Sequence, residues 1–324
     1  MATRNIFIAT FALAAFLGAV ESGAAQDYPS RPVRILVGFP PGGATDIVTR
    51  LMGKWLSDRL GQPFVIENRP GAATNIATEA AVRASADGYT LVTISSTNTI
   101  NTTLYDKLNF NFVRDITPVA SFIRIPIVME VNSSFPTKTV PEFIAHIKAN
   151  PGKITLGSPG NGTPAQISVE LFKSMTGVDL VGVPYRGDTA MLTDLLGGQI
   201  QAALDAVPTQ SLEYIRAGKL RALAVTSATR LEVLPDIPTL GEFVPGFEAS
   251  YWLGFGAPKN TPSAIIEKLH AAIGATLIDP KIKARFAELG ATPLVLSPAE
   301  FAKLIADDTD KWAKVIRTAN IKPE

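Results

Sequence analysis

Short β-branched runs alternate with apolar stripes of helical period along this chain, and Pro- or Gly-rich turns mark the junctions. A chain written this way folds into α/β units whose sheets are largely parallel. Residues 33–39 (VRILVGF) predict a strand. After Pro40-Pro41-Gly42-Gly43, apolar residues recur at Ile47, Val48, Leu51, Met52, Trp55, Leu56 and Leu60. That is one helical stripe, with Thr45 or Asp46 as its N-cap. A strand at 64–67, a helix over about 75–84 and a strand at 90–94 complete a first unit.

The pattern restarts near Ile127. Thr139-Val140-Pro141-Glu142 is a capping box for a helix to Ala149. A strand at 153–156, a loop at 157–163 and a helix at 164–176 stopped by Gly177 follow. Next come a strand at 180–183, a helix at 188–196 ended by Gly197-Gly198, and strands at 202–204 and 220–226. A strand returns at 249–255, and amphipathic helices at about 262–277, 280–289 and 298–318 close the chain. The simplest arrangement is one lobe from 27–124 plus 249–324, with 125–248 inserted as the other. Strands near 118–126 and 247–255 then cross between lobes as a hinge.

The first 25 residues read as a signal peptide: Arg4, an apolar stretch at 6–20, then Gly23-Ala24-Ala25, with the mature chain starting at Gln26. The apolar stretch is short for a bilayer span, which disfavours an uncleaved anchor. The whole chain has 30 Lys+Arg against 29 Asp+Glu, and the leader removes one of each, Arg4 and Glu21, so the net charge stays at +1. Near-neutrality argues against a nucleic-acid or membrane-surface partner. Without cysteine, thiolate catalysis and cysteine-based metal sites are excluded, and export is compatible.

In open parallel sheets, ligands bind beyond the carboxyl ends of strands, where helix N-termini present unpaired N–H groups. Three such junctions have unusual composition: 39–46, 95–99 and 157–163. Donors from two lobes aimed into one cleft would hold a carboxylate without a buried lysine or arginine. A plain structural turn is the alternative for any one of them, and 95–99 reads equally as a capped helix start. Enzyme chemistry, a hydrolase or transferase, has little to stand on. His146 and His270 both fall within helices, no G-x-S-x-G elbow occurs, and Asp307, Asp308 and Asp310 read as a solvated helix face. Asp46 and Asp188 read as N-caps, whereas Asp205, after a strand, could face the cleft.

At these residues the sequence resembles the Bug family, receptors associated with tripartite tricarboxylate transporters. Pro41-Gly42-Gly43 with Thr45-Asp46, Glu67-Asn68-Arg69-Pro70-Gly71-Ala72, Asp87-Gly88-Tyr89-Thr90-Leu91 and Gly160-Asn161-Gly162-Thr163 carry the likeness. So do Val183-Pro184-Tyr185-Arg186-Gly187, Asp194 to Gln199, Ala217 to Val225 and Leu234-Pro235-Asp236-Ile237-Pro238-Thr239. The resemblance implies a two-lobed Venus-flytrap (type II periplasmic-binding) α/β fold, each lobe a mostly parallel sheet flanked by helices. It implies a monomeric periplasmic receptor that binds a small carboxylate, partners a tripartite tricarboxylate-type permease and needs no cofactor, metal or catalytic residue. A ligand-sensing partner of a two-component sensor shares the same chemistry. Carried over by position, the first-lobe ligand contacts are Phe39, Pro40, Gly42, Gly43, Ala44, Thr45, Ala73, Thr74, Ser95, Ser96, Thr97 and Asn98. Those of the second lobe are Ser158, Gly160, Gly162 and Thr163, with Tyr185 and Asp205 at the far end. Arg69 and Arg186 tie loops together. Two departures stand out. Gly71-Ala72-Ala73-Thr74 replaces a glycine-richer run, and Gln166 and Asn98 stand where histidine is common, so weak pH dependence near neutrality is expected.

Overall fold

The computed structural model describes residues 28–206 and 210–323; the leader read at 1–25 lies outside the described residues. Ten strands form one hydrogen-bonded run. They are β1 (Val33–Val37), β2 (Phe64–Asn68), β3 (Thr90–Ser95), β4 (Ile116–Asn132), β5 (Thr155–Ser158), β6 (Val181–Pro184), β7 (Ala202–Ala206), β8 (Leu220–Val225), β9 (Ser250–Pro258) and β10 (Thr292–Pro293). The helices are α1 (Ala44–Leu60), α2 (Asn75–Val82), α3 (Ser96–Leu104), α4 (Phe112–Asp115), α5 (Val140–Ala149), α6 (Pro164–Thr176), α7 (Asp188–Leu196), α8 (Gln210–Arg216), α9 (Ser263–Leu277), α10 (Pro280–Glu288) and α11 (Pro298–Thr318).

Two lobes share β4. Its first part pairs antiparallel with β9, from Ile116↔Pro258 to Pro126↔Ser250. From Ile127 onward its partners are β7, beginning at Ile127↔Ala206, and β8. Beyond β9 lie the parallel strands β3, β1 and β2; beyond β7 lie the parallel strands β5 and β6. Helices cover both sheets, and α1 buries Val48, Met52 and Leu56 against Val33, Ile35 and Leu91. Sequence reading gives two separate crossings near 118–126 and 247–255. In the structure these two segments are one antiparallel ladder between β4 and β9.

The last helix works across both cores. Phe301 and Ile305 pack with Trp252 in a first-lobe cluster, whereas Trp312 and Ile316 pack with Phe143 and Phe172 of the second lobe. Asp308 on this helix is not part of a solvated face, because it accepts the Trp252 indole N–H at 2.6 Å. The helix at 96–104 realises the capped-start alternative for 95–99, with Ser95 as N-cap, and the helix at 210–216 lies where the sequence reading places no element. In the first, β-branched and polar residues hide the helical period; the second is short.

Crowding at the β4–β9 ladder offers a direct test. A Cβ on Gly254 would stand 2.6 Å from the Ala120 carbonyl oxygen and press into the Phe301 ring. Gly254→Ala is expected to cost about 1–3 kcal/mol, the range for overpacked cores, read as a lower urea midpoint at unchanged slope.

Candidate functional site

Three first-lobe loops meet at the carboxyl ends of β1, β2 and β3. The first is packed onto the second: a Cβ on Gly38 would lie 2.5 Å from Thr74 Cβ, so only glycine fits. Gly43 is the N-cap of α1, in place of the expected Thr45 or Asp46. Asp46, one turn in, instead accepts hydrogen bonds from the Gly42 N–H at 2.9 Å, Arg50 Nε at 2.9 Å and Asn68 Nδ2 at 2.8 Å. Burial pushes its carboxyl up, but these bonds and the Arg50 charge outweigh burial and hold it below its ordinary value. Asp46 therefore fixes the shape of the Gly42-Gly43 loop. Pro40, Gly42 and Gly43 lie exposed at the rim.

The second loop is strained. Ala72, Ala73 and Thr74 have φ of 44°, 47° and 76°, a region that costs an L-residue about 1–2 kcal/mol. Side chains of α3 clamp it. Asn101 Nδ2 donates to the Ala73 carbonyl, and Asn98 Nδ2 donates to Thr74 Oγ1 and Thr78 Oγ1. Asn98 Oδ1 accepts the Ser95 N–H, completing a capping box with Ser95. Asn98 thus spends its amide on the protein. One neighbour does not: Ser96 Oγ is buried without a partner among the described residues, whereas Thr97 stands beside the Tyr251 hydroxyl.

In the second lobe, β5 ends at Ser158 and the loop enters α6. Thr163 is its N-cap, with Oγ1 accepting the Gln166 N–H and donating to the Gly160 carbonyl. Gly162 has φ of +70°, and a Cβ there would be 3.1 Å from Leu104 Cδ2 and 3.6 Å from Ala73 Cβ. The two lobes therefore touch at this point. Nearby, Gln166 Oε1 is buried without a partner among the described residues. Tyr185 gives its N–H to the Ser158 carbonyl and its hydroxyl to Asp194 Oδ2 at 2.8 Å. Burial and Asp194 push that hydroxyl up to about 12.

Sequence reasoning missed two parts of this region. One is Tyr251 of β9, which anchors the first-lobe loop: its hydroxyl pairs with Thr45 Oγ1 at 3.2 Å and its ring meets Phe39 edge-on at 6.4 Å. Nothing in a strand-forming Tyr-Trp-Leu run distinguishes it. The second is Glu130, which forms an acidic trio with half-buried Asp188 and with Asp205, the residue read from the sequence as facing the cleft. Asp205 at the end of β7 and Glu130 on β4 are fully buried, and Asp188, in place of capping, opens α7 as its first residue after the N-cap Gly187. Ser211 donates to Glu130 Oε2, Glu130 Oε1 lacks a partner among the described residues, and the Asp205 carboxyl lies against that of Asp188. Burial raises Glu130 from its ordinary 4.5 to about 7, against the Ser211 hydrogen bond and with the Asp188 charge adding. Burial, then the charges of Asp188 and Glu130, hold Asp205 well above the carboxylate range. A charged residue amid Val128-Met129-Glu130-Val131 was the legible signal.

Comparisons with known proteins agree with this architecture. Residues 48–321 match the model for the tripartite tricarboxylate transporter family receptor. Protein BugT of Bordetella pertussis is 37% identical over 325 residues, covering 99% of this chain and 98% of its own. An R. palustris protein solved with adipate superposes with a TM-score of 0.83 at 36% identity, over 92% of this chain and 100% of its own. MatC from Rhodopseudomonas palustris with bound malate gives 0.78 at 31%, over 89% and 100%.

Two outcomes are expected from these groups. Ala73→Gly relieves the positive φ and raises stability by about 0.5–1 kcal/mol in urea unfolding, glycine's unfolded-state entropy offsetting part of the gain. The pH dependence follows from Glu130. A folded value above the unfolded one favours the native state fully below about 4.5, and that advantage is lost as pH rises through about 7. The melting temperature of the ligand-free protein should fall across this window, and Glu130→Gln should flatten the slope.

Proposed function

Because this chain belongs to the family of tripartite tricarboxylate transporter receptors, we propose that it captures a small carboxylate between its lobes for a permease of that class. The observation that carries the reading is the meeting of the two lobes at Gly162 and Ala73, together with the buried hydroxyl of Ser96 and the amide oxygen of Gln166, which have no partner among the described residues. An unsatisfied buried polar group costs about 1–3 kcal/mol, so such atoms imply a bound group or water. The helix N-termini at Gly43, Ser95 and Thr163 add partial positive charge without a basic side chain. Relatives of the same fold were solved with adipate and with malate, both dicarboxylates.

The finer assignments follow from this reading. Phe39, Thr45, Ala73, Thr74, Ser96, Thr97, Ser158, Gly160, Gly162 and Thr163 form the binding wall, with Tyr251 added. Asn98 and Tyr185 hold its shape through their hydrogen bonds to Thr74, Thr78 and Asp194. The lobes comprise 27–124 plus 249–324 and 125–248, a division supported by the change of β4 partners at Pro126 and Ile127 and qualified by the second-lobe packing of Trp312. The leader directs the chain to the periplasm, where it acts as a monomer. It is a receptor and not an enzyme. In support, His270 Nδ1 faces the Val119 carbonyl at 3.2 Å and His146 stands edge-on to Phe135, both away from the cleft.

Thermal-shift screening of C3–C9 mono-, di- and tricarboxylates tests the proposal: at least one should saturate and raise the melting temperature. Thr97→Val should weaken that ligand about tenfold, roughly 1.4 kcal/mol, by calorimetry. A panel without a saturating hit sinks the reading.

A further inference from the structure

One turn of α11 stands across the line between the lobes. Phe301 and Ile305 precede it in a first-lobe cluster with Trp252, and Trp312 and Ile316 follow in the second-lobe cluster. Asp308 and Lys311 lie three residues apart on this turn and so share one face of the helix. Each is bonded to the segment that crosses the hinge. Asp308 Oδ2 accepts the Trp252 indole N–H at 2.6 Å, and Lys311 Nζ donates to the Glu248 carbonyl at 2.6 Å. Burial pushes the Asp308 carboxyl up, while the Trp252 N–H and the Lys311 and Arg124 charges pull the other way. Arg124 faces Trp252 across the β4–β9 ladder and pairs with the Glu248 carboxylate at 3.5 Å.

The two anchor points belong to different lobes. Glu248 stands between Phe247 and Ala249, both in the second-lobe cluster. Ala249 is fixed there by Thr226, whose Oγ1 donates to the Ala249 carbonyl at 2.7 Å and whose own carbonyl accepts the Ala249 N–H at 3.0 Å. Trp252, four residues on from Glu248, is in the first-lobe cluster. Successive side chains of a strand point to opposite faces. On β9, Tyr251 reaches Thr45 of the cleft loop and Trp252 reaches Asp308 behind it. A bend between 248 and 252 therefore moves both contacts at once. A helical turn is fixed by its own backbone bonds, so it cannot follow that bend without releasing one of its two anchors.

We propose that the turn from Asp308 to Lys311 is a splint on the hinge, and that Lys311 is a positioning residue for ligand capture. The splint holds the lobes at the angle at which Gly162 meets Leu104 and Ala73. Apparent affinity scales with the fraction of molecules in the binding-competent arrangement. Loosening the splint therefore weakens every ligand by the same factor and leaves their order intact, because Lys311 touches none of them. The effect on affinity rests on the carboxylate-capture reading above, whereas the effect on the lobe angle does not.

The chain has no cysteine, so dyes on Lys54→Cys and Lys148→Cys, exposed positions of α1 and α5, report lobe separation by energy transfer. Lys311→Met keeps the aliphatic stem and should lengthen that distance in the ligand-free protein. Lys311→Arg, which keeps a cationic donor, and Lys314→Met, on the exposed side of the same helix, should leave it unchanged. Asp308→Asn serves as the second variant should Lys311→Met not fold. Calorimetry with the carboxylates found by screening should show all of them weakened about fivefold in Lys311→Met, the effect of one hydrogen bond. An unchanged distance in both Lys311→Met and Asp308→Asn would overturn the splint, with or without a known ligand. A longer distance at unchanged affinity, or weakening confined to one ligand, would remove Lys311 from capture and leave the carboxylate reading standing. An empty carboxylate screen would sink that reading alone, and the distance comparison would still decide the splint.

Discussion

Everything in this molecule is hung on β4, a strand whose backbone hydrogen bonds serve two sheets in succession. Up to Pro126 they go to β9; from Ile127 they go to β7 and β8. A proline gives no N–H, so it is poorly placed within a central ladder. Here it stands where one partner leaves and the next arrives, and little pairing is forfeited. The same strand carries Glu130 into the second lobe and, through β9, places Tyr251 against Thr45. Moving the switch by a residue would turn alternate side chains to the opposite face, and Glu130 would lose its place beside Asp205.

Closure and polarity are coupled around that strand. The loop at Ala72–Thr74 is held in a left-handed conformation by Asn98 and Asn101, and it touches Gly162 across the junction. Strain of this kind persists where surrounding contacts over-determine the backbone. Beside it, Ser96 Oγ, Asn101 Oδ1 and Gln166 Oε1 are buried without a partner among the described residues. A fold seldom tolerates that many unsatisfied groups. Those that lie at the lobe junction mark a place that something else completes.

Much of the architecture was legible in the residues. The helix at Pro164–Thr176 begins with Thr163 as cap and ends at Gly177 in the left-handed region, as its punctuation predicted, and α7 ends before Gly197 likewise. Local chemistry settles such boundaries, because a cap satisfies N–H groups only a few residues away. The roles of polar side chains were less legible. Asp46 and Asp188 looked like caps from their spacing, yet Gly43 and Gly187 hold those positions. Asn98 and Tyr185 looked available, yet Thr74, Thr78 and Asp194 claim them. Partners distant in sequence decided each case.

By itself the sequence determined the α/β class, the element order, most helix ends and the likeness to the transporter receptors, since these follow from periodicity, turn chemistry and ordered motifs. Tertiary structure alone decided that one long strand serves both lobes, that the final helix fastens both cores, and that Glu130, Asp188 and Asp205 lie together without a cation. The reason is range: capping and periodicity act within a turn or two. The energy of a buried carboxyl depends on which groups, dozens of residues away, the fold sets beside it.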